Sequence, residues 1–415
     1  MSLGPNYRRL WTASGFSNLA DGVFQIALPL LALTFTRSPA LIAGVALAAR
    51  LPWLLFALQA GALADRLDRR RTMVLVAVAR AALIGMIGVL VMFDAARLWM
   101  LYVIAFALGI GETLFDTAAQ SIMPMIVKHD DLSRANGRLY AVELTMNQFI
   151  GPPLGGILVG TAMALAFVGS ALAYLVGFLA LVAMVGSFKV DRVGPPAKLR
   201  TDITEGLRFL FHHRVLRTFA VMTGVANLAN TGAFALLPIY AVAPGPLGLT
   251  EAGFGVLTVP MAVGSVVGSF AAARIERALG KVNTVVLAGA AIAATTAVPA
   301  IWPEVVPVMV GFFVGGFAIV VWNVVTVSLR QRITPPHLLG RMNASYRLLA
   351  WGSMPLGALI GGALAEWIGV RATFVVMAAI QMLIVLARLV VSDGDIDAAE
   401  REVTEHEPKE PVAAS

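Results

Sequence analysis

Cysteine is absent from all 415 residues. That excludes a disulfide framework and any thiolate metal site. Charge is scarce as well: Asp, Glu, Lys and Arg together make up 13% of the chain, about half of what a soluble domain carries. Histidine occurs five times, and His129, His212, His213, His337 and His406 all fall between or beyond the long apolar stretches. With no metal-ligand cluster, no nucleophile constellation and no phosphate-binding loop in the sequence, neither an enzyme nor a nucleotide-driven machine is expected, and no cofactor. What fills the chain instead is apolar, at 59% of residues and a mean hydropathy of +0.82. No water-soluble fold hides that much apolar surface, so the solvent for most of it is lipid.

A spanning helix needs about 20 mostly apolar residues. On that measure the chain holds twelve segments, at 10–35, 40–63, 72–93, 98–123, 137–161, 164–188, 216–243, 251–273, 282–301, 305–329, 340–365 and 370–391. The first follows a short basic arm with Arg8 and Arg9. It is too long for a signal-peptide core and lacks a small-residue cleavage site, so it is read as a retained span. The net charge of +7 has a topological explanation. Arg66, Arg69, Arg70 and Arg71 collect in one loop, Lys128, Arg134 and Arg138 in the next but one, and further clusters lie at 189–217, 274–281 and 330–341. The opposite loops hold little besides Arg37, Arg97 and Arg371. Basic residues favour the cytoplasmic side. Both termini are therefore expected there, which an even helix count requires independently. The charge is read as this signal and not as a nucleic-acid surface.

The expected organisation is a first six-helix bundle over 1–188, a cytoplasmic central loop over 189–215, a second bundle over 216–391, and a disordered acidic tail over 392–415. Within the loop, Ile203, Leu207, Leu210 and Phe211 fall at helical spacing, consistent with a short amphipathic helix on the membrane face or with a plain connector. The halves echo one another. Gly137-Arg138-Leu139 and Gly340-Arg341-Met342 open the fifth and eleventh spans, and Pro152 and Pro355 follow at equal offset, each ahead of a glycine pair. Parallel repeats of this kind place a substrate site between the halves near the midplane, in a monomeric alternating-access machine.

The stretch Gly61-Ala-Leu-Ala-Asp65-Arg66-Leu-Asp-Arg69-Arg70-Arg71 resembles the signature loop of the major facilitator superfamily, with Asp68 where that family usually has glycine. The resemblance implies an all-α integral membrane fold of twelve transmembrane helices in two pseudo-symmetric six-helix bundles. It also implies a conformational latch built on Gly61, Asp65, Arg66, Arg69 and Arg70, with Glu143 completing the charge cluster. Gly151-Pro152-Pro-Leu-Gly155-Gly156 on the fifth span resembles the antiporter motif of drug-efflux branches, with Asn147 at the usual leading glycine. The fourth span keeps Gly109 and Gly111 of a third motif but has Ala105 where its arginine belongs, so coupling schemes built on that arginine do not transfer. Nearly the whole chain is similar to the branch of enterobactin exporters and macrolide efflux pumps.

Ionisable residues inside spans are expensive and mark candidate function. Asp21 and Glu112 lie near mid-depth, about 16 Å into their helices, and Arg50 lies at comparable depth as a possible partner of either. These three are the candidate ion-coupling residues. Arg80 and Asp116 sit at matching depths and are expected to form a structural ion pair. The second half has no acid deep in a span; it offers Asn227, Asn230, Trp322, Asn323, Trp351 and Gln381 as candidate substrate contacts or ordinary packing bonds. The expected activity is secondary transport, as proton-coupled efflux of small amphipathic molecules (a drug, a macrolide-like metabolite or a siderophore) across a bacterial inner membrane. Sodium stays open as the coupling ion because Asn18 neighbours Asp21. Lipid handling between leaflets and ion-independent facilitation are the alternatives.

Overall fold

The computed structural model describes residues 3–64, 68–128, 131–186, 188, 199–335 and 338–406. Those residues are almost entirely helical. In the first half, α1 (Pro5–Phe35), α2 (Pro39–Ala64), α3 (Arg69–Met92) and α4 (Leu98–Ile126) are single spans. The fifth is divided: α5 (Leu132–Leu144), a π-helical turn at Thr145–Ile150, then α6 (Gly151–Thr161). Pro152 and Pro153 lack N–H donors for the carbonyls four residues back, and the Gly151 N–H reaches Met146 O, five residues back. The missing donors therefore widen the turn rather than break the helix. The half closes with α7 (Met163–Val182).

After α8 (Leu199–His212), the second half runs through α9 (Arg214–Phe234) and α10 (Leu237–Ala241), with Pro238 at the start of the short segment. It continues with α11 (Glu251–Leu257), α12 (Val259–Leu279), α13 (Lys281–Ile301), α14 (Val305–Arg332), α15 (Leu339–Ile368) and α16 (Val370–Met382), then a 3-10 segment at Leu383–Leu389 and α17 (Asp393–His406). Among the described residues ten helical segments are long and apolar enough to cross a bilayer. The fifth and seventh spans are interrupted, and bring the arrangement to the expected twelve.

Two expectations need correction. The sixth span ends at Val182, not 188, because Arg70 of α3 donates to the terminal carbonyls, to Leu181 O at 3.0 Å and to Val182 O, and Gly186 then turns the chain at a φ of 126°. The acidic tail is not disordered through residue 406. Ser392 and Asp395 form a capping box: Asp395 Oδ2 accepts from the Ser392 N–H and hydroxyl, each at 2.8 Å, and Ser392 Oγ accepts from the Asp395 N–H at 3.2 Å. The helix so started docks on the basic end of the second half. Lys281 meets Asp397 at 3.0 Å and Glu400 at 2.9 Å, Asp393 accepts from the Val282 N–H at 2.9 Å, and Ile396 and Ala399 are buried.

The buried side chains divide in three. Toward the face bearing residues 37, 243 and 366, one continuous core joins both halves, from Ile26 and Ile42 through Phe254 to Ala365. Toward the terminus-bearing face there are two cores. One contains Leu10, Met73, Phe115 and Leu139, all of the first half; the other contains Leu216, Val285, Val325 and Met342, all of the second. The halves are thus fused at one face and part toward the other.

Backbone and hydroxyl donors from Ser392 hold the Asp395 carboxyl below the usual carboxylate range. A depressed folded pKa stabilises above the unfolded value of about 4 and is lost as pH falls through the folded one. Ser392→Ala is expected to destabilise α17 by roughly 1 kcal/mol. Hydrogen exchange at 393–406 should quicken at neutral pH, and the difference from the parent should shrink in strong acid, where only the Ser392 Oγ cap on the Asp395 N–H still separates the two.

Candidate functional site

The deepest polar cluster is assembled from three helices of the first half. Asp21 stands at the middle of α1, Arg80 at the middle of α3 and Tyr174 on α7. Asp21 Oδ1 accepts from both the Arg80 guanidinium and the Tyr174 hydroxyl. Arg80 also lies over the Tyr174 ring, 4.6 Å from its centroid. The pair is shielded, with side chains 5% exposed for Arg80 and 20% for Asp21. Room for the arginine stem comes from the fourth span: a Cβ at Gly111 would stand 3.1 Å from Arg80 Cγ. A side chain there would crowd the arginine stem.

The partner of Arg80 is therefore Asp21, not Asp116 as its depth implied. Depth gives the layer of a residue but not the face of the helix it occupies. Asp21 is in turn not free for Arg50, which makes no ion pair among the described residues. Glu112 and Asp116 on α4 lie within electrostatic reach of Arg80, and Glu143 on α5 within reach of Asp116. Four carboxylates of the first half thus share one field. The second half answers with a cation that sequence reasoning missed. Arg347 on α15 is exposed, interacts electrostatically with Asp116, and stacks on Trp351 and Trp53. Its signal was present as an arginine four residues ahead of a tryptophan, one helical turn on the same face.

Of the latch residues, Asp65 and Arg66 lie outside the described residues, as does the surroundings of Gly61. Arg70 caps α7 and Arg69 Nη1 approaches Met125 Sδ at 2.9 Å, both contacts inside the first half. Asp68, the departure from the family pattern, accepts from the Arg71 N–H at 3.0 Å and starts α3 as its N-cap.

The antiporter-type motif lies at two close helix approaches, one to α1 and one to the other half. A Cβ on Gly151 would stand 2.6 Å from Gly22 Cα of α1, and one on Gly155 would stand 2.8 Å from Val23 O. Gly156 faces the other half: its Cβ would stand 2.6 Å from Glu251 O and 3.1 Å from Gly255 Cα, while a Cβ on Gly255 would meet Pro152 O at 2.4 Å. Beside this seam Arg37 donates to Ala243 O at 2.9 Å and Ser38 to Glu366 at 2.8 Å, again across the halves.

The candidate substrate contacts separate. Trp322 is 5% exposed in the second-half core, and Gln381 is fully buried, accepting from Thr296 at 3.0 Å; neither reaches an open cavity. Asn227 donates to Ala350 O at 2.7 Å, a helix-packing bond. Asn230 is half-buried, and Asn323 and Trp351 are exposed.

The model of the major facilitator family described as transmembrane secretion effector matches residues 4–415. The chain belongs to that family. It is a multi-pass membrane transporter of small-molecule substrates. Similar proteins include the multidrug efflux pump Tap of Mycobacterium tuberculosis, 30% identical over 391 residues and 90% of each chain, and that of Mycolicibacterium fortuitum, 28% identical over 391 residues, 88% of this chain and 90% of the other. Macrolide efflux protein A of Streptococcus pyogenes is 20% identical over 384 residues, 88% of this chain and 90% of the other. Among solved structures, the nucleoside transporter NupG matches with a TM-score of 0.69 at 12% identity, over 92% of this chain and 98% of the other. A bacterial homologue of the iron transporter ferroportin, in an inward-facing state, matches at 0.66 and 16%, over 96% and 100%. These structures share the fold.

Two outcomes follow. Removing one partner of a buried ion pair is worth about 3–5 kcal/mol. Arg80→Met should lower the melting temperature of the purified protein sharply, Tyr174→Phe by a smaller step, and an unchanged melt for Arg80→Met would show that the pair does not hold the bundle. Gly156→Val cannot fit against Glu251 O, so it should part the halves at the 37/243/366 face. A Ser38→Cys reporter in this cysteine-free chain should then react faster with an impermeant maleimide than in the parent.

Proposed function

We propose that the protein is a proton-coupled exporter of small amphipathic compounds, working as a monomer by alternating access in a bacterial inner membrane, with both termini cytoplasmic. The observation that carries the reading is the Asp21–Arg80–Tyr174 cluster, with Glu112 and Asp116 beside it, set in the half whose inner helices border the parting between the bundles. With the basic loops cytoplasmic, the fused face is external and the halves part toward the cytoplasm, the state that takes up a substrate for export. Protonation of Asp21 removes the charge that holds Arg80, and the released guanidinium is then drawn to Glu112 and Asp116. A substrate or a proton arriving in this field therefore changes which acid is neutralised, which is what exchange requires. The Asp65–Arg66 loop, with Arg69, Arg70 and Glu143, latches the cytoplasmic face in the opposite state. The efflux relatives support the substrate class: compounds taken from the cytoplasm or inner leaflet.

The experiment uses purified protein in liposomes loaded with a pH-sensitive dye, a lipophilic cation and a macrolide as substrates, and the variants Asp21→Asn and Glu112→Gln. Substrate-dependent proton flux in the parent, lost in Asp21→Asn, is the expected result. Transport that is unchanged without a gradient and in both variants would falsify coupling and leave facilitation or lipid handling.

A further inference from the structure

Arg347 is a cation at the parting with no acid bound to it among the described residues. It has no hydrogen bond or ion pair among the described residues, and its side chain is exposed. What holds it is aromatic. Its Cζ lies 4.3 Å from the Trp351 ring centroid and 5.8 Å from that of Trp53, both within the range where an indole face attracts a cation. The two rings stand 5.0 Å apart at 81°, so they form a corner. Trp53 belongs to α2 of the first half and Trp351 to α15 of the second. The helices touch at this level, since a Cβ on Gly352 would stand 2.8 Å from Leu54 Cδ1. Asp116 adds attraction from the first half, whereas Arg330 repels Arg347 from its own half.

Two indole rings at right angles, with a carboxylate whose field reaches the cation on them, form a receptor for a hydrophobic organic cation. Here the receptor is filled by the chain itself. We propose that the Trp53–Trp351 corner is a subsite for lipophilic monocations and that Arg347 is its tethered occupant, displaced when a substrate cation enters. The inference rests on the export reading above and names one substrate class for it. Arg347 then sets specificity by competition: a weak or strongly hydrated cation does not dislodge it, whereas a large apolar cation gains the ring faces and the field of Asp116 together. Because the corner has one wall in each half, it exists as a pair only while α2 and α15 stay in this register. Separation of the two helices dismantles it and releases the ligand.

The test is equilibrium binding to protein in nanodiscs, corrected with empty nanodiscs, using tetraphenylphosphonium and its isosteric anion tetraphenylborate. Arg347→Ala and Arg347→Gln are expected to bind the phosphonium about threefold to tenfold more tightly than the parent and the borate more weakly. Adding Trp351→Ala or Trp53→Ala to Arg347→Gln should abolish the gain. Equal or weaker phosphonium binding in both Arg347 variants, with melting temperatures like the parent, overturns the proposal. So does a gain shared equally by the borate, which would report greater room and not competition for charge. Binding needs no gradient, so a failure here with coupled transport intact strikes only the subsite, and loss of pumping with binding intact strikes only the export reading.

Discussion

A guanidinium placed among apolar helices must be given a counter-charge, and the first half is organised around supplying one to Arg80. The acid comes from α1, the hydroxyl that shares it from α7, and the space for the stem from Gly111 of α4. Each contribution constrains the packing of its helix. α1 is held between α3 and α7 by the shared acid, and its other side is free to press Gly22 and Val23 against the glycines of α6. The seam between the halves is made by α6, and α6 rests on a helix whose rotation is fixed by an ion pair. Electrostatics and closure are thus connected through two packed helices, α1 and α6.

Among the described residues the second half contains no equivalent buried pair. Its polar pairs Thr296 with Gln381 and Thr223 with Tyr346 are neutral, and two of its arginines, Arg330 and Arg347, rest on aromatic rings: Arg330 lies 3.9 Å from the Tyr346 centroid. Acids in one half and ring-bound cations in the other make the attraction across the parting asymmetric, so what neutralises the acids also alters how strongly the halves attract.

The spans were legible because length and hydropathy alone specify a membrane helix, and their limits agree with the sequence to about five residues except at the ends of the sixth, which stops at Val182, and the eighth, which runs on to Leu279. The early stop of the sixth turns on Arg70 reaching carbonyls 111 and 112 residues away, which no local pattern encodes. The family was legible from the loop and glycine motifs. The pairing of Arg80 was not: Asp21 and Asp116 both suit its depth, and only the azimuth of three helices separates them. Arg347 was overlooked because, eight residues into its span, it resembles the topological arginines at the helix ends. The helix after Ser392 carried its capping box in the order Ser392, Asp393, Gly394, Asp395, and composition concealed it.

At two places in the fused face, Gly156 against Gly255 and Gly362 against Ala40 and Ala43, main chain approaches main chain and little interlocks, while branched side chains such as Ile26 and Ile42 pack around them. Cores filled with branched side chains are toothed: parting them requires rotamers to turn in concert. Two smooth surfaces come apart without that friction, and they re-form without a search for register. A transporter cycling many times needs a joint that is tight when shut yet leaves few trapped conformers when it opens, and the bare-backbone contacts within the core lessen that friction.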